Sequence, residues 1–123
     1  MNVETLREYC LQKTGAIETF PFDEVTLVFK VKNKMFALVP LNDEALSINL
    51  KCNPERAEQL REEHDCVQPG FHMSKKHWNT ILIDGTVKDS LLREWIDHSY
   101  ELVVQSLPRK IQAELEQVGA SGL

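Results

Sequence analysis

A chain of 123 residues fits one domain with a single core and is too short for two domains of ordinary size. Its composition, 42% hydrophobic and 27% charged, excludes a disordered chain, and its longest apolar run, FALVPL, falls far below the ~20 residues of a membrane span. The formal charge of −5 argues against general polyanion affinity, because the summed field repels phosphate.

The start, MNVETLREYC, carries acids where a signal peptide would be basic and then apolar, so a cytoplasmic protein without a membrane partner is expected. Asn2 can cap a first helix over residues 2–14, with Val3, Leu6 and Cys10 on one face and Gly15 ending it. In VTLVFKVK the side chains alternate. Val25, Leu27, Phe29 and Val31 point to one face, while Thr26, Val28, Lys30 and Lys32 point to the other. Asn33 sits where a tight turn belongs, so KMFALVP returns as the second strand of a hairpin. LSINLKC supplies a third strand, with Ile48, Leu50 and Cys52 inward and Ser47, Asn49 and Lys51 outward.

Asn53 and Pro54 open a second helix through His64, with Ala57, Leu60 and His64 on one face. After a loop, WNTILID is strand-like, and Thr86 with Asp89 resembles a capping box. The helix that follows, about 87–105, buries Leu92, Trp95, Ile96, Ser99 and Val103 along one stripe. Pro108 opens a last helix through Ile111 and Leu115. The order is helix, three strands, helix, one or two strands, helix. It predicts an α+β fold, a two-layer domain with a mainly antiparallel sheet and helices on one face. A single domain over 1–118 with a frayed tail at 119–123 is expected.

Charge is not spread evenly. Residues 25–52 hold Lys30, Lys32, Lys34 and Lys51 against Asp43 and Glu44, and residues 66–83 hold Lys75 and Lys76 with no acid. The loop GFHMSKKHW is basic and aromatic within an acidic chain. Gly70 permits the turn after Pro69; Phe71, Met73 and Trp78 are expected to be mostly buried, and Lys75 and Lys76 exposed.

The blocks FPFDEVTLVFKVKNKMFALV, LSINLKCNPERAEQLRE, VQPGFHMSKKHWNTILIDGTVKD and WIDHSYELV, spanning residues 2–107 in this order, resemble the MmcQ/YjbR-like family of small bacterial proteins. The PGFHMSKKHW block and the KCNPE junction carry the resemblance most specifically. It implies a two-layer α/β domain comparable to secretion chaperones. It also implies DNA binding through a pair of β-hairpin wings, here Lys30 to Met35 and the segment around His72 to Trp78, and no catalytic apparatus.

A wing must reach phosphates with cations and offer planar groups that stack. Lys30, Lys32, Lys34, Lys51, Lys75 and Lys76 supply cations, and Phe71, His72, His77 and Trp78 supply rings. Neither wing contains arginine, so base-specific readout is not expected. The bland alternative is that sheet-face lysines keep an exposed surface soluble and deter edge pairing. His64, Cys66, His72 and His77 are ligand types suited to zinc, but their spacing fits no familiar pattern and lysines flank His77, so neither metal nor cofactor is expected. Cys66 and His72 lack an oxyanion motif or orienting acid, and no glycine-rich phosphate loop is present, so no enzyme is expected. The three cysteines form no Cys-x-x-Cys pair and are expected reduced and at least partly buried. The reading is a monomeric, non-enzymatic cytoplasmic domain binding DNA weakly and salt-sensitively through the two wings. The alternative is a peptide- or protein-binding adaptor with no nucleic-acid role.

Overall fold

A computed structural model describes residues 1–71 and 73–121, with side chains described to residue 118. The elements run α1 (Val3–Leu11), β1 (Ala16–Thr19), β2 (Thr26–Val31), β3 (Lys34–Pro40), β4 (Ser47–Lys51), α2 (Pro54–Glu63), β5 (Val67–Pro69), β6 (Trp78–Leu82), α3 (Asp89–Gln105) and α4 (Arg109–Ser121). The strands form one antiparallel sheet in the order β1-β2-β3-β4-β6-β5. The α+β expectation holds, with β1 added as an edge strand. The last helix is longer than expected: its backbone runs to Ser121, past the start of the expected frayed tail. Gly122 and Leu123 lie outside the described residues.

Local chemistry explains most boundaries. Asn2 caps α1 in a full capping box, accepting from Thr5 N–H while Thr5 Oγ1 accepts from Asn2 N–H. Asn53 accepts from Glu55 N–H and Arg56 N–H, with Pro54 at the first turn of α2. The β2–β3 turn places Lys32 at φ 49° and Asn33 at φ 67°, the doubly left-handed geometry that matches hairpin twist. Lys32 is therefore a turn residue rather than a strand residue. The expected Thr86–Asp89 box does not form. The Asp84 carboxylate accepts from both the N–H and the hydroxyl of Thr86, and Lys88 precedes α3 with no side-chain cap.

The helices cover one face. Leu6 and Cys10 of α1, Leu27, Phe29 and Val31 of β2, Phe36 and Val39 of β3, Ile48 and Leu50 of β4, and Leu92, Trp95, Ile96 and Val103 of α3 share one core. All five residues of the expected α3 stripe, including Ser99, are buried. Two tyrosine hydroxyls help tie α1 and its exit to α3: Tyr9 donates to Asp97 at 2.6 Å, and Tyr100 donates to the Thr14 carbonyl at 2.5 Å. Lys13 pairs with Asp97 and lies 4.9 Å above the Tyr9 ring. Gly15 follows at φ +74°, where a Cβ would sit 2.7 Å from Leu115 of α4, so the helix exit has no room for a side chain.

Ser99 has a particular place. The register Leu38↔Asn49 and Ala37↔Leu50 would next set Phe36 opposite Lys51, but β2 and β3 shift register between Phe29 and Lys30. Ser99 Oγ fills that rung from α3, accepting from Lys51 N–H at 2.9 Å and donating to the Phe36 carbonyl at 2.5 Å. A helix hydroxyl thus completes the ladder where the bulge interrupts it.

All three cysteines are buried and free, as their spacing led one to expect. Burial pushes the Cys10 thiol up to about 12 and raises Cys52 as well, outweighing the nearby cations. At pH 8 the Cys10 thiolate fraction is about one in ten thousand. A chromogenic disulfide reagent is expected to react with Cys10 and Cys52 of the native protein only slowly, and promptly with all three thiols in denaturant. Prompt reaction of Cys10 in the native state would contradict the packing of α1.

Candidate nucleic-acid interface

Antiparallel register sorts charge between the two ends of the sheet. β2 ends at Val31 and β3 begins at Lys34, while Lys51 closes β4 opposite Trp78, the first residue of β6. The hairpin tip, the end of β4 and the loop before β6 therefore lie at one end. Lys30, Lys32, Lys34, Lys51, Lys75 and Lys76 all belong to that end. The opposite end holds the β1–β2 loop with Asp23 and Glu24, the β3–β4 loop with Asp43 and Glu44, and Asp84 after β6. The seven residues of β3 set these ends about 20 Å apart, more than twice the ~8 Å Debye length at physiological salt. The acids at the far end therefore do not cancel the lysines, whereas Glu55, exposed in the first turn of α2 just after Lys51, shares the basic end with them. Among the described residues, none of the six lysines forms an ion pair with a carboxylate.

The lysines are not equivalent. Lys30 lies on the outer face beside Met35, Lys32 is exposed on the turn, and Lys75 and Lys76 are exposed on the loop. Lys51 is half-buried opposite Trp78. Lys34 opens β3 at the hairpin tip. Its Nζ turns to the helical layer and donates to Ser106 Oγ at 3.3 Å, at the C-terminal end of α3, where helix carbonyls favour a cation. That contact brings the α3–α4 junction to the basic end, with Arg109 and Lys110 exposed on the first turn of α4. Sequence reasoning did not include these two, although the run Pro108-Arg109-Lys110 was its available signal. Arg61 donates to the Lys75 carbonyl at 3.3 Å and anchors the loop to α2.

The expected burial holds for Trp78 and fails for Phe71. Trp78 is only 9% exposed and packs with Val28, Leu38, Met35 and Met73 in a second apolar cluster on the outer face. Its indole is packing and offers no stacking plane. Phe71, expected to be buried, is 68% exposed. His77 is exposed between the lysines and Trp78, and His72 lies outside the described residues. Gly70 is close-packed: a Cβ there would meet Trp78 Cβ at 2.8 Å and the Trp78 carbonyl at 2.9 Å. His64 caps the C-terminus of α2 with its ring against Trp95 at 5.2 Å, and Cys66 is in the core, so these two are structural.

His98 of α3 accepts from Asn53 N–H through Nε2 at 3.3 Å, a contact that requires an unprotonated Nε2. Burial lowers its pKa, with Arg56 adding to the effect and Glu101 opposing it. A His held below its unfolded value contributes stability above pH ~6.5 that is lost as pH falls through its folded pKa. An NMR titration should place the His98 midpoint below 6.5, and His98→Gln should flatten the acid side of the stability profile in that window. A midpoint at or above 6.5 would contradict the Asn53 contact.

Fold and site together define a small α+β domain with a six-stranded antiparallel sheet, helices on one face and cations gathered at one sheet end. The YjbR family model matches residues 11–102, and the chain belongs to that family. The chain is 35% identical over 118 residues to the uncharacterized protein YjbR of Escherichia coli K12, covering 96% of this chain and all of that one. It is 31% identical over 109 residues to the uncharacterized protein YbdF of Escherichia coli O157:H7, with 89% of each chain covered. The crystal structure of Deinococcus radiodurans protein DR2400, a DUF419 domain, superposes with TM-score 0.89 at 42% identity, over 94% of this chain and 88% of that one. A Pseudomonas syringae protein superposes with TM-score 0.72 at 26% identity, over 83% and 98%. Among the described residues no helix is long and apolar enough to cross a membrane.

Proposed function

We propose that this domain binds the phosphate backbone of DNA, weakly and without sequence readout, through the lysine end of its sheet. It acts in this reading as a non-enzymatic cytoplasmic protein. The observation that carries the proposal is the convergence of six lysines from three chain segments at one end, with no carboxylate paired to them among the described residues. Exposed ammonium groups of this kind release counterions from phosphate, and their yield is set by salt. The ring component is weaker than the sequence suggests, since Trp78 is packed away, so attraction to the backbone carries the affinity.

Fluorescence anisotropy with a labelled duplex tests it. With about four phosphate contacts, the log–log slope of affinity against salt should be near −3 to −4. No binding at tens of micromolar protein in low salt would end the proposal. Partners captured by this chain that survive nuclease and depend on the Lys30–Lys51 face would favour the protein-binding reading instead.

A further inference from the structure

A broad concavity lies on the outer face of the sheet. The outer sheet face is roofless between the β1–β2, β3–β4 and β5–β6 loops, which enclose about 750 Å³. That volume falls within the range of sites for small organic ligands. Among the described residues its lining contains no lysine or arginine, whereas Asp23 and Asp43 stand on it. Its apolar wall includes Phe22, Leu38 and Leu82. Its floor carries Asn49, which is 6% exposed and whose Oδ1 is already occupied by the Thr80 hydroxyl at 2.5 Å. Among the described residues nothing accepts from Asn49 Nδ2, so the floor presents one amide donor.

Three chemical demands follow. The carboxylates call for a cation, the apolar wall and the Phe22 ring for a hydrophobic body, and the Asn49 amide for an acceptor. Asp23 stays ionised to low pH because the Val25 N–H, the Thr26 N–H and the Thr26 hydroxyl donate to it and hold its pKa below the usual carboxylate range. A nucleic acid fails the first demand, because the carboxylates repel its phosphates. We infer that the outer-face cavity is a binding site for a small organic ammonium compound with an apolar body and a hydrogen-bond acceptor, on a lining that none of the six lysines joins.

The probe is 2-phenoxyethylammonium, which combines all three groups, with phenoxyacetate as its anionic counterpart of equal size. Amide chemical shifts of the full chain are followed during titration. The ammonium probe should saturably shift Thr26, Ser47, Gln68 and Thr80, and phenoxyacetate should not. Asp43→Asn removes one exposed charge and should weaken the ammonium probe about fivefold. Ala45→Trp, at an exposed lining position, should abolish binding by filling the space while leaving the rest of the spectrum in place. Absence of saturable shifts at tens of millimolar, an equal response to phenoxyacetate, or indifference to both variants would each overturn the inference. Shifts confined to Lys30–Lys34 or Lys75–His77 would overturn it as well, and none of these outcomes bears on DNA binding.

Discussion

Replacing Lys32 and Lys75 together by glutamate is expected to lower affinity for duplex DNA about a hundredfold at low salt and to reduce the salt slope by about two. Each lysine stands on a different projection of the basic end, Lys32 on the hairpin turn and Lys75 on the loop before β6, and both are exposed. A charge pair at contact distance in water is worth ~1 kcal/mol, and reversal exchanges attraction for repulsion, ~2 kcal/mol per site before screening. Salt trims the pair of reversals to the hundredfold expected. Folding should survive, because exposed substitutions away from structural contacts stay within ~0.5 kcal/mol. Lys32 already occupies a left-handed backbone position, and glutamate meets the same strain there. Anisotropy titrations of the double variant at two salt concentrations, beside a urea melt, check both halves. Unchanged DNA affinity in a folded variant would show that the two projections are not the wings.

The second large effect lies in the core. Ser99→Ala is expected to cost about 2–4 kcal/mol, because it strands the Phe36 carbonyl and the Lys51 N–H together in a buried gap. Set against a total stability of about 5–15 kcal/mol, that is a large fraction of the whole. The loss should exceed that of an ordinary buried serine because Ser99 replaces a ladder bond and no neighbouring strand can close the rung. A urea midpoint shift at constant slope measures it. Ser99→Thr, which keeps the hydroxyl, should recover part of the loss unless the added methyl overpacks against the sheet. A shift below ~1 kcal/mol for Ser99→Ala would mean the strands close without it.

That serine shows where sequence reasoning succeeds and where it stops. Its burial was readable from the 3.6-residue spacing of Leu92, Trp95, Ile96, Ser99 and Val103, since helix periodicity is a local property. Its partners were not, because they depend on a register shift between β2 and β3 at Phe36. The caps at Asn2 and Asn53 were legible for the same local reason, and the Lys32–Asn33 turn partly so. β1 went unseen because AIET is too short to show alternation, and β5 has only three residues. The outer face was misjudged more seriously. Val28 is the apolar residue among the outward side chains of β2, yet Leu38 and Trp78 join it from other strands, and that juxtaposition exists only after pairing. For the site, the clustering of lysines in two chain segments was legible. Their arrival at a common end follows from antiparallel order, whereas the turn of Lys34 toward Ser106 required the packed helices.

The central claim is that the lysine end, and not the acid end, meets the polyanion. Amide chemical-shift mapping with a short duplex at low salt tests it most directly. Saturable shifts are expected at Lys30–Lys34, Lys51 and Lys75–His77, fading together as salt is raised, with residues 20–24 and 42–45 unmoved. Shifts centred on those acidic loops, or none at any salt, would contradict the claim.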